Sequence, residues 1–141
     1  MNIDRLAIAI LILAGCQHWL LADETVVWNE SMKVVHFETL QHSLLDKLRS
    51  QSVTGTVVIR VGLDTSGGVS SVMAISGPKD LVSNCLANSR KWRFQPNPDR
   101  SAVIVYWFRR GGLCNRPCPS QFSFEPPNLA IITMGDPVVL Y

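Results

Sequence analysis

Residues 53–78 have the sequence VTGTVVIRVGLDTSGGVSSVMAISGP, and this stretch decides the fold. From 56 to 64 every second residue is apolar, which predicts a strand with one buried face formed by Val57, Ile59, Val61 and Leu63. Gly67 and Gly68 favour a turn, since glycine adopts positive φ without strain. A second strand is predicted over 69–76, where the opposite parity of Val69 and Val72 indicates a β-bulge.

The flanking sequence predicts two helices and three further strands. Leucines at three- and four-residue spacing predict an amphipathic helix over 38–50, and a second helix is predicted over 79–92. Residues 102–108 (AVIVYWF) form a predicted third strand that is apolar on both faces and ends at Arg109-Arg110-Gly111-Gly112. Two short strands are predicted at 121–124 and 129–133.

The order strand, strand, helix, strand predicts an α+β fold with a split βαβ arrangement. The strand at 56–64 then lies in the middle of a three-stranded mixed sheet. Residues 69–76 and 102–108 flank it, parallel to each other, and both helices cover one face. Residues 111–141 are expected to add a cysteine loop and a β-hairpin extension.

The composition and motifs of the chain argue against several classes of function. The chain has 141 residues, enough for one small domain, with 47% hydrophobic and 17% charged residues. The net charge of +2 and the lack of a basic stripe argue against nucleic-acid binding. There is no Gly-x-Ser-x-Gly elbow and no His–Glu metal pair, and the carboxylates are scattered. We therefore predict neither an enzyme nor a cofactor.

The amino-terminal residues 1–22 are predicted to be a targeting segment. Residues 6–14 (LAIAILILA) have the length of a secretory apolar core, shorter than the roughly 20 residues that span a bilayer. The following Leu13-Ala14-Gly15-Cys16 is similar to the bacterial lipobox, which makes Cys16 a candidate for lipidation. Cleavage after Ala22 and an uncleaved anchor over 6–22 are the alternatives. All three place the rest of the chain outside the cytoplasm, on the periplasmic side of a bacterial cell envelope, and the lipid or the uncleaved anchor would tether it to the membrane.

The remaining cysteines fit an oxidising compartment. Cys114 and Cys118 bracket a tight loop that can close a disulfide, whereas Cys85 falls on a predicted helix and is expected to be buried. A zinc site is the alternative. The cysteine spacing is not the two-residue knuckle, and the three histidines show no ligand spacing, so we predict no metal.

Several motifs together resemble the C-terminal domain of TonB-type energy transducers. They are VTGTVV at 53–58, the turn from Asp64 to Gly68, ISGP at 75–78 and RKWRFQP at 90–96. The resemblance covers residues 37–108 and implies a TonB-like domain over 37–110. His42-Ser43-Leu44 stands where the family commonly has Tyr-Pro-Pro. The short extended arm at 23–36, at most about 50 Å long, replaces the family's long proline-rich spacer.

The resemblance also implies a mechanism, in which a sheet edge pairs with an extended segment of a partner protein. Residues 102–108 are the candidate edge, and the predicted binding residues are Val103, Val105, Tyr106, Trp107, Phe108, Arg109 and Arg110. The partner is expected to be an outer-membrane receptor-like protein, in energy-coupled transport, or a second copy of the chain. In the alternative, the strands at 121–124 and 129–133 cover this edge. The protein is then a structural envelope lipoprotein with no transport role.

Overall fold

The structure is a computed structural model that describes residues 32–115 and 118–138. The targeting segment with Cys16, and the arm up to residue 31, lie outside the described residues. No helix in the described part of the chain is long and apolar enough to cross a membrane. The fold is α+β, with two helices, a mixed five-stranded sheet and a two-stranded sheet among these residues.

The elements of the described ranges follow in chain order. They are β1 (Val34–His36), α1 (His42–Ser50), β2 (Gly55–Leu63), β3 (Val69–Ser76), α2 (Lys79–Ser89), β4 (Arg93–Phe94), β5 (Ser101–Cys114), β6 (Gln121–Glu125) and β7 (Leu129–Pro137). β1 and β4 form the small sheet, and the large sheet has the order β3-β2-β5-β7-β6. Neighbouring strands are antiparallel except β5 and β7, which are parallel.

The central part of the large sheet follows the predicted arrangement. β2 lies between β3 and β5 and is antiparallel to both, so the two flanking strands are parallel to each other. The pairing of β2 with β3 shifts register twice, between Val58 and Ile59 and between Gly62 and Leu63, which confirms an irregular β3. The predicted count of three strands is wrong, because β7 and β6 continue the same sheet beyond β5.

The turn between β2 and β3 is held by hydrogen bonds within the turn and by one to the segment after α2. The Asp64 carboxylate accepts hydrogen bonds from the Ser66 hydroxyl (2.7 Å), the Ser66 N–H (2.8 Å) and the Gly68 N–H (2.9 Å). These bonds hold the pKa of Asp64 below its ordinary value, and the bond from the Ser66 hydroxyl has the largest effect. Gly67 has φ +86°, and its carbonyl accepts from the Phe94 N–H at 2.8 Å. A Cβ at Gly67 would overlap the Phe94 carbonyl oxygen, so this turn requires glycine.

The hydrophobic core lies between the helices and one face of the large sheet. α1 contacts β7 and α2 contacts β2 and β3, so the two helices cover opposite halves of that face. The strands contribute alternate buried residues, Val57, Ile59 and Val61 from β2, Ala102, Ile104, Tyr106 and Phe108 from β5, and Ala130, Ile132 and Met134 from β7. β7 therefore supplies core residues as β2 and β5 do.

A buried amide holds the helical layer in place. Asn88 is 6% exposed, and its Oδ1 accepts from Trp92 Nε1 at 2.9 Å and from the Tyr106 hydroxyl at 2.7 Å. Its Nδ2 donates to the carbonyls of Glu38 at 3.0 Å and Thr39 at 3.3 Å. One side chain on α2 thus joins β5 to the segment that precedes α1.

These bonds explain why the first helix is shorter than predicted. The Glu38 and Thr39 carbonyls would accept from the amides of residues 42 and 43 in a helix, but they accept from Asn88 instead. α1 therefore begins at His42 rather than at 38. The second helix ends at Ser89, and Trp92, 1% exposed, packs into the core from the next segment. β5 does not end at Arg109–Gly112 as predicted but continues to Cys114 with an irregular register.

Candidate functional site

The strand predicted to be the open edge lies inside the sheet. β5 pairs with β2 on one side, from Val61↔Ala102 to Gly55↔Phe108, and with β7 on the other, from Val105 onwards. Val103 precedes the part of β5 that pairs with β7. Its N–H donates a hydrogen bond to Met32 Sδ at 3.4 Å, and its carbonyl accepts one from Asn128 Nδ2 at 2.8 Å. Residues 102–108 are therefore not an edge, and the structure has the alternative arrangement in which the chain covers this strand itself.

The apolar residues predicted to bind a partner are divided between two faces of β5. Tyr106 and Phe108 lie in the core against the helices, at 0% and 1% exposure. Val103, Val105 and Trp107 lie on the opposite face, where Trp107 is 40% exposed. Of these five residues, Trp107 is therefore the one that offers a large accessible side chain.

Both predicted binding arginines are engaged within the chain. The Arg109 guanidinium lies 5.0 Å from the centroid of the Trp107 ring, and Arg109 Nε donates to Thr133 Oγ1 at 3.0 Å. Arg110 Nε donates to Asp136 at 3.0 Å, and the two side chains form an ion pair. Their hydrogen bonds connect β5 to β7. Binding of a partner by any of the predicted residues stays a prediction.

The large sheet ends in two other strands, β3 and β6, within the part of the chain that the structure describes. β6 has five residues, and its Phe122 and Phe124 stack on Phe37 with ring centroids 5.7 and 4.9 Å apart. β3 has eight residues, among which there is no charge and no proline. Natural edge strands are commonly blocked by charges, prolines or bulges. β3 has only the bulges, which makes it the better edge for strand pairing.

Two large apolar side chains of β3 are exposed, Met73 at 54% and Ile75 at 44%. Met73 pairs with Arg60, and its side chain lies on the face opposite the helices. Residues of β2 and β5 on that face, Val58 and Val105, are only half buried and are directly paired. The sequence analysis did not predict this surface. The one indication of it was that apolar and polar residues alternate only weakly over 69–76.

The cysteine loop is tied to the rest of the fold. A disulfide joins Cys114 and Cys118, whose Cα atoms are 5.6 Å apart. The Arg49 guanidinium on α1 donates to the Cys118 carbonyl, and the Val138 N–H donates to the Cys114 carbonyl at 3.1 Å. Cys118 is thus hydrogen-bonded to α1, and Cys114 to the residue that follows β7.

The described residues offer little for metal or nucleophilic chemistry. No group of three or more His, Cys, Asp and Glu side chains comes together in the ranges 32–115 and 118–138. Cys85 is fully buried, and burial raises the pKa of its thiol to about 12. A thiol with so high a pKa stays protonated at neutral pH and is a poor nucleophile.

Raising the pH from 8 to 11 is expected to destabilise the protein. Burial raises the pKa of Cys85 to about 12 and raises the pKa of Tyr106 above its ordinary value. The folded state therefore keeps protons that the unfolded state loses above about pH 8.5 and pH 10, and each group contributes a slope of up to about 1.4 kcal/mol per pH unit. This contribution to stability is fully present below about pH 8.5. It is lost as the pH rises from the unfolded-state pKa of each group towards its higher folded-state pKa.

Urea denaturation at several pH values measures the effect. The Cys85→Ala variant should show a shallower loss of unfolding free energy between pH 9 and 11 than the unaltered protein. Parallel curves for the two proteins would contradict the assignment to Cys85.

No protein-family model, no curated protein and no solved structure matches this chain.

Proposed function

We propose that this protein is a protein-binding module of the bacterial cell envelope that pairs an edge strand with an extended segment of a partner. The motifs that resemble the C-terminal domain of TonB-type energy transducers support this role. The edge that we propose is β3, not the covered β5. The observation that carries the proposal is that β3 is an end strand of the sheet in the described part of the chain, has no charge and no proline, and exposes Met73 and Ile75 at 54% and 44%.

The physical basis is the unpaired main chain of an edge strand. An extended segment that lies along β3 gains main-chain hydrogen bonds to the N–H and C=O groups that β2 does not use. Its side chains would cover Met73 and Ile75 and remove their apolar surface from water. The two bulges restrict regular pairing to the middle of β3, so the proposed partner contributes a short segment.

The partner class follows from the proposed location. A chain tethered at Cys16 or by its amino-terminal anchor, on the periplasmic side, meets envelope proteins. An outer-membrane receptor-like protein in energy-coupled transport is one such partner, and a second copy of the chain, joined β3 to β3, is the other. The proposal contains no catalytic step, cofactor or nucleic acid.

One observation favours a second function. β7 covers the strand that the family resemblance assigns to partner binding, through pairs that run from Val105↔Leu129 to Cys114↔Pro137. A protein with this strand occupied can act as a structural envelope lipoprotein with no transport role. The two functions differ in whether β3 contacts another chain in the cell.

Site-directed photocrosslinking tests the proposal. A photoreactive benzoylphenylalanine at position 73 of the full chain is expected to give an adduct of defined mass in intact cells. Adding Ile75→Lys should weaken the adduct at least about tenfold, since a charge on an edge strand opposes pairing. Once the adduct is identified by mass spectrometry, the purified partner should slow hydrogen exchange of the β3 amides.

Two controls separate the edges. Benzoylphenylalanine at position 113, where Leu113 is 78% exposed, should not give the same adduct. Ser123→Lys on β6 should leave the position-73 adduct unchanged. Absence of a position-73 adduct, or an adduct insensitive to Ile75→Lys, would rule out β3 as the binding edge and favour the structural function.

A further inference from the structure

A groove lies between the two helices, on the side of the sheet away from Met73. α1 contacts β7 and α2 contacts β2 and β3, and the two helices share few close backbone contacts with each other. The space between them forms one cavity of about 460 Å³ and a second of about 170 Å³. Both are lined by Leu44 of α1 and Asn84 of α2, so the two cavities adjoin each other between the helices, and together they are called the groove.

The lining of the groove is mostly polar, with a small apolar floor and a basic rim. Leu44, which is half buried, and Leu48 line it from α1, and Asn84 lines it from α2. Its charged residues are three exposed lysines and one carboxylate, namely Lys47, Lys79, Lys91 and Asp80. None of the three lysines forms an ion pair within the described residues. The groove therefore has a net positive charge that the described part of the chain does not neutralise.

The lysines are spread along the groove instead of converging on one point. Lys79 is the first residue of α2, and Lys91 follows its end, twelve residues later. At 1.5 Å per residue the two backbone positions are separated by about 18 Å. Lys47 lies across the groove on the last turn of α1. A single phosphate or carboxylate cannot reach all three lysines, but a polypeptide segment that carries several carboxylates can.

We propose that this groove binds an acidic segment of a protein partner. Apolar side chains of the segment would contact Leu44, and its carboxylates would pair with Lys47, Lys79 and Lys91. The groove is concave and its lysines lie at both ends, which suits a narrow chain better than the flat surface of a lipid bilayer. This site is separate from the exposed Met73 of β3, since the helices and the Met73 side chain lie on opposite faces of the sheet.

A pair of designed peptides tests the charge requirement on the full chain in lipid nanodiscs of phosphatidylcholine. The first is a fluorescein-labelled fifteen-residue peptide of Glu and Leu, with leucines at three- and four-residue spacing. The second has Gln in place of every Glu. We expect fluorescence anisotropy to show binding of the Glu peptide at least about tenfold tighter than that of the Gln peptide, and to show weakening by added salt.

Matched charge reversals locate the site. Lys47→Glu and Lys91→Glu should each weaken binding of the Glu peptide about fivefold or more. Lys33→Glu makes the same charge change at an exposed lysine outside the groove and should change the affinity less than about twofold. These variants alter exposed side chains, and their circular dichroism should match that of the unaltered protein.

Three results would overturn the inference. Equal affinity for the Glu and Gln peptides would remove the charge requirement. Equal weakening by Lys33→Glu and Lys47→Glu would show attraction to the whole molecule and no groove. Displacement of the Glu peptide by monomeric short-chain phosphatidylglycerol, at concentrations where the Gln peptide does not compete, would assign the groove to anionic lipid headgroups.

Discussion

Replacing Asn88 with leucine is expected to lower the free energy of unfolding by about 3–5 kcal/mol. The amide accepts from Trp92 Nε1 and the Tyr106 hydroxyl, and it donates to the carbonyls of Glu38 and Thr39. Leucine fills a similar volume but leaves these groups without a partner. Each buried polar group that loses its hydrogen bond costs about 1–3 kcal/mol, and partial rehydration of the two carbonyls reduces the sum.

Urea denaturation followed by circular dichroism measures this change. Asn84→Leu, on the same helix but only half buried, should cost less than about 1 kcal/mol. Tyr106→Phe removes one donor and should cost about 1–2 kcal/mol. Hydrogen exchange of residues 38–41 should also become faster in Asn88→Leu, because their segment is no longer bound to α2. A loss below about 1 kcal/mol for Asn88→Leu would show that the network contributes little to stability.

Ile132→Ala on β7 is expected to cost about 3–4 kcal/mol. Ile132 is fully buried and belongs to the same core cluster as Ile59 and Ile104. Truncation removes its apolar surface from the core and leaves a cavity between α1 and the sheet, since α1 contacts β7 directly. The prediction tests whether the carboxyl-terminal strands are part of the domain core or an addition to a domain that ends near residue 110.

Leu113→Ala is the matched control, because Leu113 is 78% exposed and its truncation should cost less than about 0.5 kcal/mol. Both variants are measured in the same urea denaturation experiment. If Ile132→Ala were as mild as Leu113→Ala, β6 and β7 would not share the core, and residues 37–110 would fold as a separate unit.

The central hairpin could be predicted because its pattern is local. Alternation from Val57 to Leu63 defines the buried face of β2, and the glycine turn brings β3 beside it. The start of α1 could not be predicted, since its leucine spacing extends to Leu40 and the side chain that stops the helix, Asn88, is about fifty residues away. Long-range hydrogen bonds of this kind leave no periodic signal.

The candidate site was harder to predict for a related reason. A strand that is apolar on both faces, such as residues 102–108, fits an interior position and an open edge equally well. The choice depends on whether β7 pairs with it, and strand pairing is not encoded in the apolar pattern of either strand. The exposed Met73 and Ile75 were missed because the irregular β3 obscures which of its residues face the helices.

The parallel contact between β5 and β7 has a consequence for folding. Pairing of β2 with β3 and β5 leaves the far side of β5 without its neighbour until residues 129–137 dock. A chain in that state exposes an unpaired strand edge, and residues 129–137 of a second copy have the same sequence and can occupy it. Exchange of β7 between two copies is therefore the misfolded alternative that this topology allows.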